Sequence, residues 1–246
     1  MIETEPRAFV AGATGLTGRA VVAELCARGV DTVAHVRPDS PSLEAWRERF
    51  AAMGARVDAT PWEEAALTAT LRELAPRVVF ALLGTTRKRA KRAAASGRDP
   101  AAESYEAVDY GLTAMLRRAC EASGHRPRFV YLSATMAKEG TSNPYMAARV
   151  RIERELKEGS LPYVIARPSF ILGERDEPRP GEKVGASMID AALGVLGALG
   201  ARKLRDRYAS IDAADLGRAL ARLGLHESAQ HVIAETDALR RAIRST

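Results

Sequence analysis

The sequence predicts an α/β fold: a doubly wound parallel sheet with a small C-terminal subregion over its carboxyl edge. Three observations carry this. Short, continuously apolar runs alternate with longer helical patterns, as strands buried on both faces by crossover helices require. A glycine-punctuated stretch joins the first run to the first helix. The chain has 246 residues and only two cysteines, enough length to bury a core without disulfide staples.

The strands follow in order along the chain. "RAFVAGA" from Arg7, "DTVAHV" from Asp31, a shorter "ARVDA" from Ala55, "RVVFALL" from Arg77, "RFVYLS" from Arg128 and "YVIAR" from Tyr163 are rich in β-branched and aromatic residues. Between them the spacing predicts helices over residues 15–28, 42–53, 63–74, 103–123 and 144–158. Right-handed crossovers between parallel strands then give the doubly wound arrangement. After Arg167 come three prolines and several charges in "PSFILGERDEPRPGEK", then a helix, "YASIDAADLGRALARLG", a late strand "HVIAET" and a last short helix. No stretch has the composition of an interdomain linker, so residues 1–246 are expected to form one domain, with 168–246 supplying the substrate-side and C-terminal elements.

Composition narrows the function. The net charge is +6, which favours anionic ligands without naming one. Cys26 and Cys120 lie in apolar helical patterns and read as buried thiols of a reducing compartment. No Cys/His grouping has metal spacing, so no metal is expected. The N-terminus lacks the basic-then-apolar order of a signal peptide, giving the expectation of a cytoplasmic protein. The longest apolar stretch, Val184 to Ala201, holds Asp190 and four glycines. It is short for a membrane span, and none is expected.

The glycine stretch is "VAGATGLTGR", Val10 to Arg19. Gly12, Gly15 and Gly18 sit at a strand end and a helix start, where glycines permit a tight turn and the helix N-terminus offers N–H groups to a pyrophosphate. Gly12, Thr14, Gly15, Leu16, Thr17, Gly18 and Arg19 are therefore expected to bind a dinucleotide. Sheets that bind NAD usually end their second strand with an acid for the adenosine ribose. Here "AHVRPDS" puts Arg37 in that neighbourhood. A guanidinium suits a 2′-phosphate by charge and fork geometry, and Arg19 would add to it, so NADP(H) is expected in preference to NAD(H). Asp39 reads as an exposed turn residue. "ALLGTT" ends the fourth strand, and Leu83 and Gly84 would let the backbone approach the same ligand.

A second motif is "NPYMAAR", Asn143 to Arg149. Ser142 or Asn143 suits a helix N-cap and Pro144 the first turn. Tyr145 and Arg149 then share one helix face. Ser133, at the end of the fifth strand, stands twelve residues before Tyr145. A strand-end serine, a tyrosine and a cation would thus meet beside a bound nicotinamide.

Taken together, "GATGLTG", "YLSAT", "YMAAR" and "ARPSFILG" resemble the short-chain dehydrogenase/reductase superfamily with its Rossmann fold. The glycine spacing is similar to its atypical and extended branches, which include NmrA-like proteins. "LLGTTRKRA" and "RPSFILGERDEPRPGE" are closer to the Tat-interacting-protein branch. The resemblance covers nearly the whole chain and weakens beyond about Gly181. It implies roles for Ser133 as a hydrogen-bond donor to substrate, for Tyr145 as general acid or base, and for Pro168 beside the nicotinamide carboxamide. Asp109 stands near an asparagine or aspartate position of the family's central helix. Arg149 stands where the family has a lysine that contacts the nicotinamide ribose. An arginine keeps the charge but does not readily pass on a proton. A solvated helix charge is the other reading of Arg149.

Two further segments have bland and functional readings. "RKRAKR", Arg87 to Arg92, has five basic residues of six. It would attract an anionic substrate or nucleic acid, but no aromatics interleave with it, and the expectation is a mobile solvated loop beside a polyanionic cofactor, with no specific nucleic acid. Gly194, Gly197 and Gly200 would allow close helix packing or a small apolar pocket for an apolar substrate. The function expected is an NADP(H)-dependent oxidoreductase of a small carbonyl or alcohol. The alternatives are a non-catalytic NADP(H)-responsive regulator of NmrA-like kind and, less favoured because of Arg37, an NAD-dependent epimerase or dehydratase. Monomer and homodimer both remain open.

Overall fold

The computed structural model describes residues 6–97, 99–173 and 208–244. Seven strands build one sheet: β1 (Arg7–Ala11), β2 (Asp31–His35), β3 (Arg56–Asp58), β4 (Val78–Ala81), β5 (Arg128–Leu132), β6 (Tyr163–Arg167) and β9 (Val232–Glu235). Their spatial order is β3-β2-β1-β4-β5-β6-β9, and every neighbouring pair is parallel. A separate parallel pair joins β7 (Ile171–Leu172) to β8 (Ile211–Asp212). The α/β doubly wound reading of the sequence holds. The order reverses between β1 and β4, and the carboxyl ends of those two strands frame the crevice where open α/β sheets bind ligands.

The period-2 alternation of each strand sorts its side chains between two cores. On one face lie Ala8 and Val10 of β1, Val78 and Phe80 of β4, and Val130 and Leu132 of β5. On the other lie Phe9, Val79, Phe129, Tyr131 and Ile165. Burying one such large side chain contributes about 1.5–3 kcal/mol, so both faces must be covered. The first is covered by α1 (Leu16–Ala27), α2 (Leu43–Ala51), α7 (Ala213–Leu225) and α8 (Thr236–Arg244). The second is covered by α3 (Glu64–Leu74), α5 (Thr113–Ala122) and α6 (Pro144–Glu158). The backbones of α1 and α7 come close because of Gly217, where a Cβ would fall 2.8 Å from the Ala20 backbone. Cys26 is half-buried and Cys120 buried, both as free thiols.

Two elements differ from the sequence reading. The basic run is not a loop but helix α4 (Arg87–Ala95). Thr86 caps it, its hydroxyl accepting the Arg89 N–H at 3.3 Å, and the alanines at 90, 93, 94 and 95 supply helix propensity. The helix expected over 103–123 is three pieces: a 3₁₀ turn (Pro100–Glu103), a π-wound segment (Tyr105–Leu112) and α5. The apolar stretch from Val184 to Ala201, with its three spaced glycines, and the charged segment beyond Gly173 lie outside the described residues. Among the described residues no helix is long and apolar enough to cross a membrane.

Candidate functional site

The turn from β1 into α1 admits no side chain at Gly12 or Gly18. Gly12 has φ +79°, and a Cβ there would lie 2.5 Å from the Leu82 carbonyl oxygen at the end of β4. A Cβ at Gly18 would lie 2.1 Å from the Gly12 carbonyl oxygen. The turn closes with the Gly15 N–H donating to the Gly12 carbonyl at 3.0 Å. Gly15 then caps α1 without any side-chain acceptor, and no acid occupies the first helical turn. The helix therefore presents N–H groups and the positive end of its dipole to the crevice. Around them, Thr17 is buried, the Thr14 carbonyl accepts from Arg19 Nη1 at 3.3 Å, and Leu16 lies against the backbone of Gly173.

Arg37 follows β2, half-exposed. Its Nε stands 3.7 Å from Asp39 Oδ1 and its Nη1 3.6 Å from Glu103 Oε1. Glu103, on the 3₁₀ turn, is a neighbour that local sequence does not reveal. After β4, Leu83 is half-buried and Gly84 exposed. A Cβ at Gly84 would lie 3.4 Å from Asp109 Oδ1 and 3.6 Å from Arg149 Nη2, so this loop rests directly on the tyrosine helix's ion pair. The Thr85 N–H donates to Asp109 Oδ2 at 2.9 Å.

Helix α6 starts as its sequence requires. Asn143 is the N-cap, its Oδ1 accepting the Tyr145 N–H at 3.0 Å, and Pro144 takes the first position. Tyr145 and Arg149 do share a face. Arg149 is not a solvated charge: it is 5 % exposed. Its Nη2 donates to Asp109 Oδ1 at 3.0 Å and its Nη1 to the Leu132 carbonyl, while its guanidinium carbon lies 4.4 Å from the centre of the Tyr145 ring. Burial works against the charge on Arg149, but Tyr131, Tyr145 and Asp109 outweigh it and hold the guanidinium above its ordinary value. Both terminal nitrogens, which the family resemblance assigned to a ribose, are thus engaged within the protein. The physical reason is Asp109, which is buried and 40 residues away in sequence.

The π-wound segment mirrors α6. Tyr105 and Asp109, four residues apart, face Tyr145 and Arg149, also four apart. The Tyr105 and Tyr145 rings meet edge to face, 5.4 Å between centres. Beneath them the Tyr131 hydroxyl is buried without a hydrogen-bond partner among the described residues. Burial, opposed by Arg149, pushes it well above the usual tyrosine range.

Ser133 is not part of this group of four. It is buried, and its hydroxyl donates to Glu153 Oε1 at 2.6 Å. Glu153 is forked by Arg167, whose Nε lies 2.9 Å from Oε1 and whose Nη2 reaches Oε2. Arg167 also approaches Glu235 at 3.5 Å. This network ties the carboxyl ends of β5, β6 and β9 to α6. Pro168 is buried, and its carbonyl accepts the Thr135 N–H at 2.9 Å, joining the loops after β5 and β6. Among the described residues no cluster of His, Cys, Asp and Glu could hold a metal.

The glycine turn, the uncapped start of α1 and the cation after β2 fit a dinucleotide: backbone for the pyrophosphate, Arg37 for the adenosine ribose, Leu83 and Gly84 for close approach. Comparison with known proteins supports pyridine-nucleotide binding. A family model described as NAD(P)H-binding matches residues 12–191. The mitochondrial protein fmp52 of Aspergillus niger is 29% identical over 180 residues, covering 70% of each chain. The mitochondrial protein fmp52-1 of Aspergillus terreus is 31% identical over 179 residues, 70% of this chain and 69% of that protein. Two solved structures are similar in fold: UDP-glucose 4-epimerase of Brucella ovis with NAD (TM-score 0.63, 19% identity, 94% of this chain and 76% of that one), and that of Thermus thermophilus with NAD (TM-score 0.60, 16% identity, 96% and 82%). The mitochondrial names of the relatives overturn the expected cytoplasmic location. A compartment read from the first residues of a chain rests on very few side chains. Family match, sheet order and glycine turn converge: this chain belongs to the NAD(P)H-binding family and has a Rossmann fold.

Proposed function

We propose that this protein binds NADP(H) in preference to NAD(H) and interconverts a small carbonyl compound and its alcohol, with Tyr145 as the acid and base. The bound nicotinamide would supply or accept the hydride. In the reducing direction the Tyr145 hydroxyl gives its proton to the substrate oxygen as the carbonyl π bond breaks. The observation that carries the reading is the Arg149 guanidinium, fixed by Asp109 and lying 4.4 Å from the centre of the Tyr145 ring. A permanent cation there stabilises negative charge developing on the tyrosine oxygen. Arg149 holds its own protons throughout, so Tyr145 regains its proton from solvent, to which it is half-exposed.

The test is nicotinamide-coupled turnover across a panel of small aldehydes, ketones and alcohols, with wild type and Tyr145→Phe. A general acid contributes about 10²–10⁴-fold. The variant should lose that much and keep its cofactor affinity. Equal turnover in the two proteins would remove Tyr145 from the chemistry.

A second reading is favoured by a specific observation: Ser133 and both terminal nitrogens of Arg149 are already bonded inside the protein. In a cofactor-responsive regulator these residues are scaffold, and NADP(H) shifts a conformational balance through unequal affinity for two states. There Tyr145→Phe changes nothing, and no substrate in the panel is turned over.

A further inference from the structure

Arg37 is shared between two acids of unlike character. Asp39 is a local neighbour with a side chain 74% exposed. Glu103 comes from 66 positions away and its side chain is only 13% exposed. Its position is fixed by two earlier parts of the chain. Asp99 begins its 3₁₀ turn, accepting the Ala101 N–H at 2.8 Å. Its second carboxylate oxygen lies 3.5 Å from the Thr85 hydroxyl, and Thr85 is itself anchored to Asp109 through its N–H. Glu103 is thus a placed charge, set between the ends of β2 and β4.

We infer that Glu103 sets how strongly this protein distinguishes a phosphorylated from a free adenosine ribose. The inference rests on the proposed reading, in which the crevice takes a dinucleotide with its adenosine ribose beside Arg37. A phosphate monoester carries about −1.5 to −2 charges at neutral pH. Placed on Arg37, it meets the Glu103 carboxylate and competes with it for the same guanidinium. A free ribose meets no such repulsion, and its hydroxyls find in Glu103 the acceptor that strand-end acids supply in other dinucleotide folds. Arg37 attracts the phosphate and Glu103 opposes it. The selectivity of this site is the difference between two affinities, and part of it is a repulsive element. Sequence reading places Arg37 at the end of β2 but has no means to place Glu103 beside it.

The experiment is calorimetric titration of the intact chain with NADPH and with NADH, at fixed salt, for wild type, Glu103→Gln, Arg37→Ala and the double variant. Glu103→Gln should raise the NADPH-to-NADH affinity ratio by about tenfold, the order expected for removing one partly screened charge a few ångströms from another. In the Arg37→Ala background the same change should move the ratio less than about twofold, because the competition is for Arg37. Melting curves check that each variant folds. If Glu103→Gln does not, Glu103→Asp draws the carboxylate back from Arg37 and should move the ratio in the same direction by less. A ratio unchanged by either substitution, in proteins that bind both nucleotides, overturns the inference. Wild type binding neither nucleotide overturns the dinucleotide reading and the inference with it.

Discussion

Asp109 and Arg149 form a buried ion pair, 3.0 Å between Oδ1 and Nη2, with both side chains almost wholly removed from solvent. The pair draws four elements together: the loop after β4, the π-wound segment, the end of β5 and helix α6. Desolvating two charges is costly, and losing one partner leaves the other buried and uncompensated. Asp109→Ala should therefore lower stability by about 3–5 kcal/mol in urea unfolding. The double replacement Asp109→Leu with Arg149→Met should recover most of that loss. A single substitution costing under about 1 kcal/mol would show that the pair has little part in holding the site.

The Tyr131 hydroxyl lies beside this pair with no partner among the described residues, and burial keeps it protonated. Removing a buried hydroxyl that makes no hydrogen bond costs little. Tyr131→Phe is expected to stay within about 0.5 kcal/mol of wild type or to be stabilising. A larger loss would mean that the hydroxyl is bonded in solution.

Much of this was legible in the sequence, and what escaped is of one physical kind. Strand positions, the two-faced burial, the glycine turn and the Asn143 cap depend on neighbours close in the chain, and the residue pattern states them. The partners of Arg149, Ser133 and Arg37 are Asp109, Glu153 and Glu103, each 20 or more positions away. No local periodicity places them. Helix α4 was missed because a dense run of like charges reads as loop, although its alanines and the Thr86 cap were signals for helix. The π-wound turn has no local sequence signature, yet it brings Tyr105 and Asp109 onto Tyr145 and Arg149.

The glycine turn gives a steric prediction. Gly18→Ala would put a methyl 2.1 Å from the Gly12 carbonyl oxygen, which backbone must move to relieve. A ligand that binds only the folded state raises its melting temperature. The variant should lose the increase that NADPH gives wild type, with affinity falling at least about tenfold, the cost of disturbing close backbone approach at this motif. An unaltered increase would remove Gly18 from the binding turn.

His35 is buried at the end of β2, between Phe9 and Trp62, with Nε2 2.8 Å from the Thr60 carbonyl, to which it donates. Burial lowers its pKa, while the Thr60 carbonyl and Asp58 pull the other way. The unfolded chain, with an imidazole near pH 6.5, binds the proton more readily. The contribution of His35 to stability is therefore complete above about pH 6.5 and declines as pH falls from there to the folded value. In His35→Gln this part of the pH dependence should vanish. An unchanged slope between about pH 5 and 6.5 would assign it to other groups.

The most direct test of the central claim is the affinity of the intact wild-type chain for NADPH and for NADH, measured by calorimetry at one salt concentration. The account predicts saturable binding of NADPH, one per chain, tighter than that of NADH. No binding of either nucleotide, in protein shown to carry none from purification, would contradict it and leave the glycine turn and the Tyr145 helix as parts of a scaffold alone.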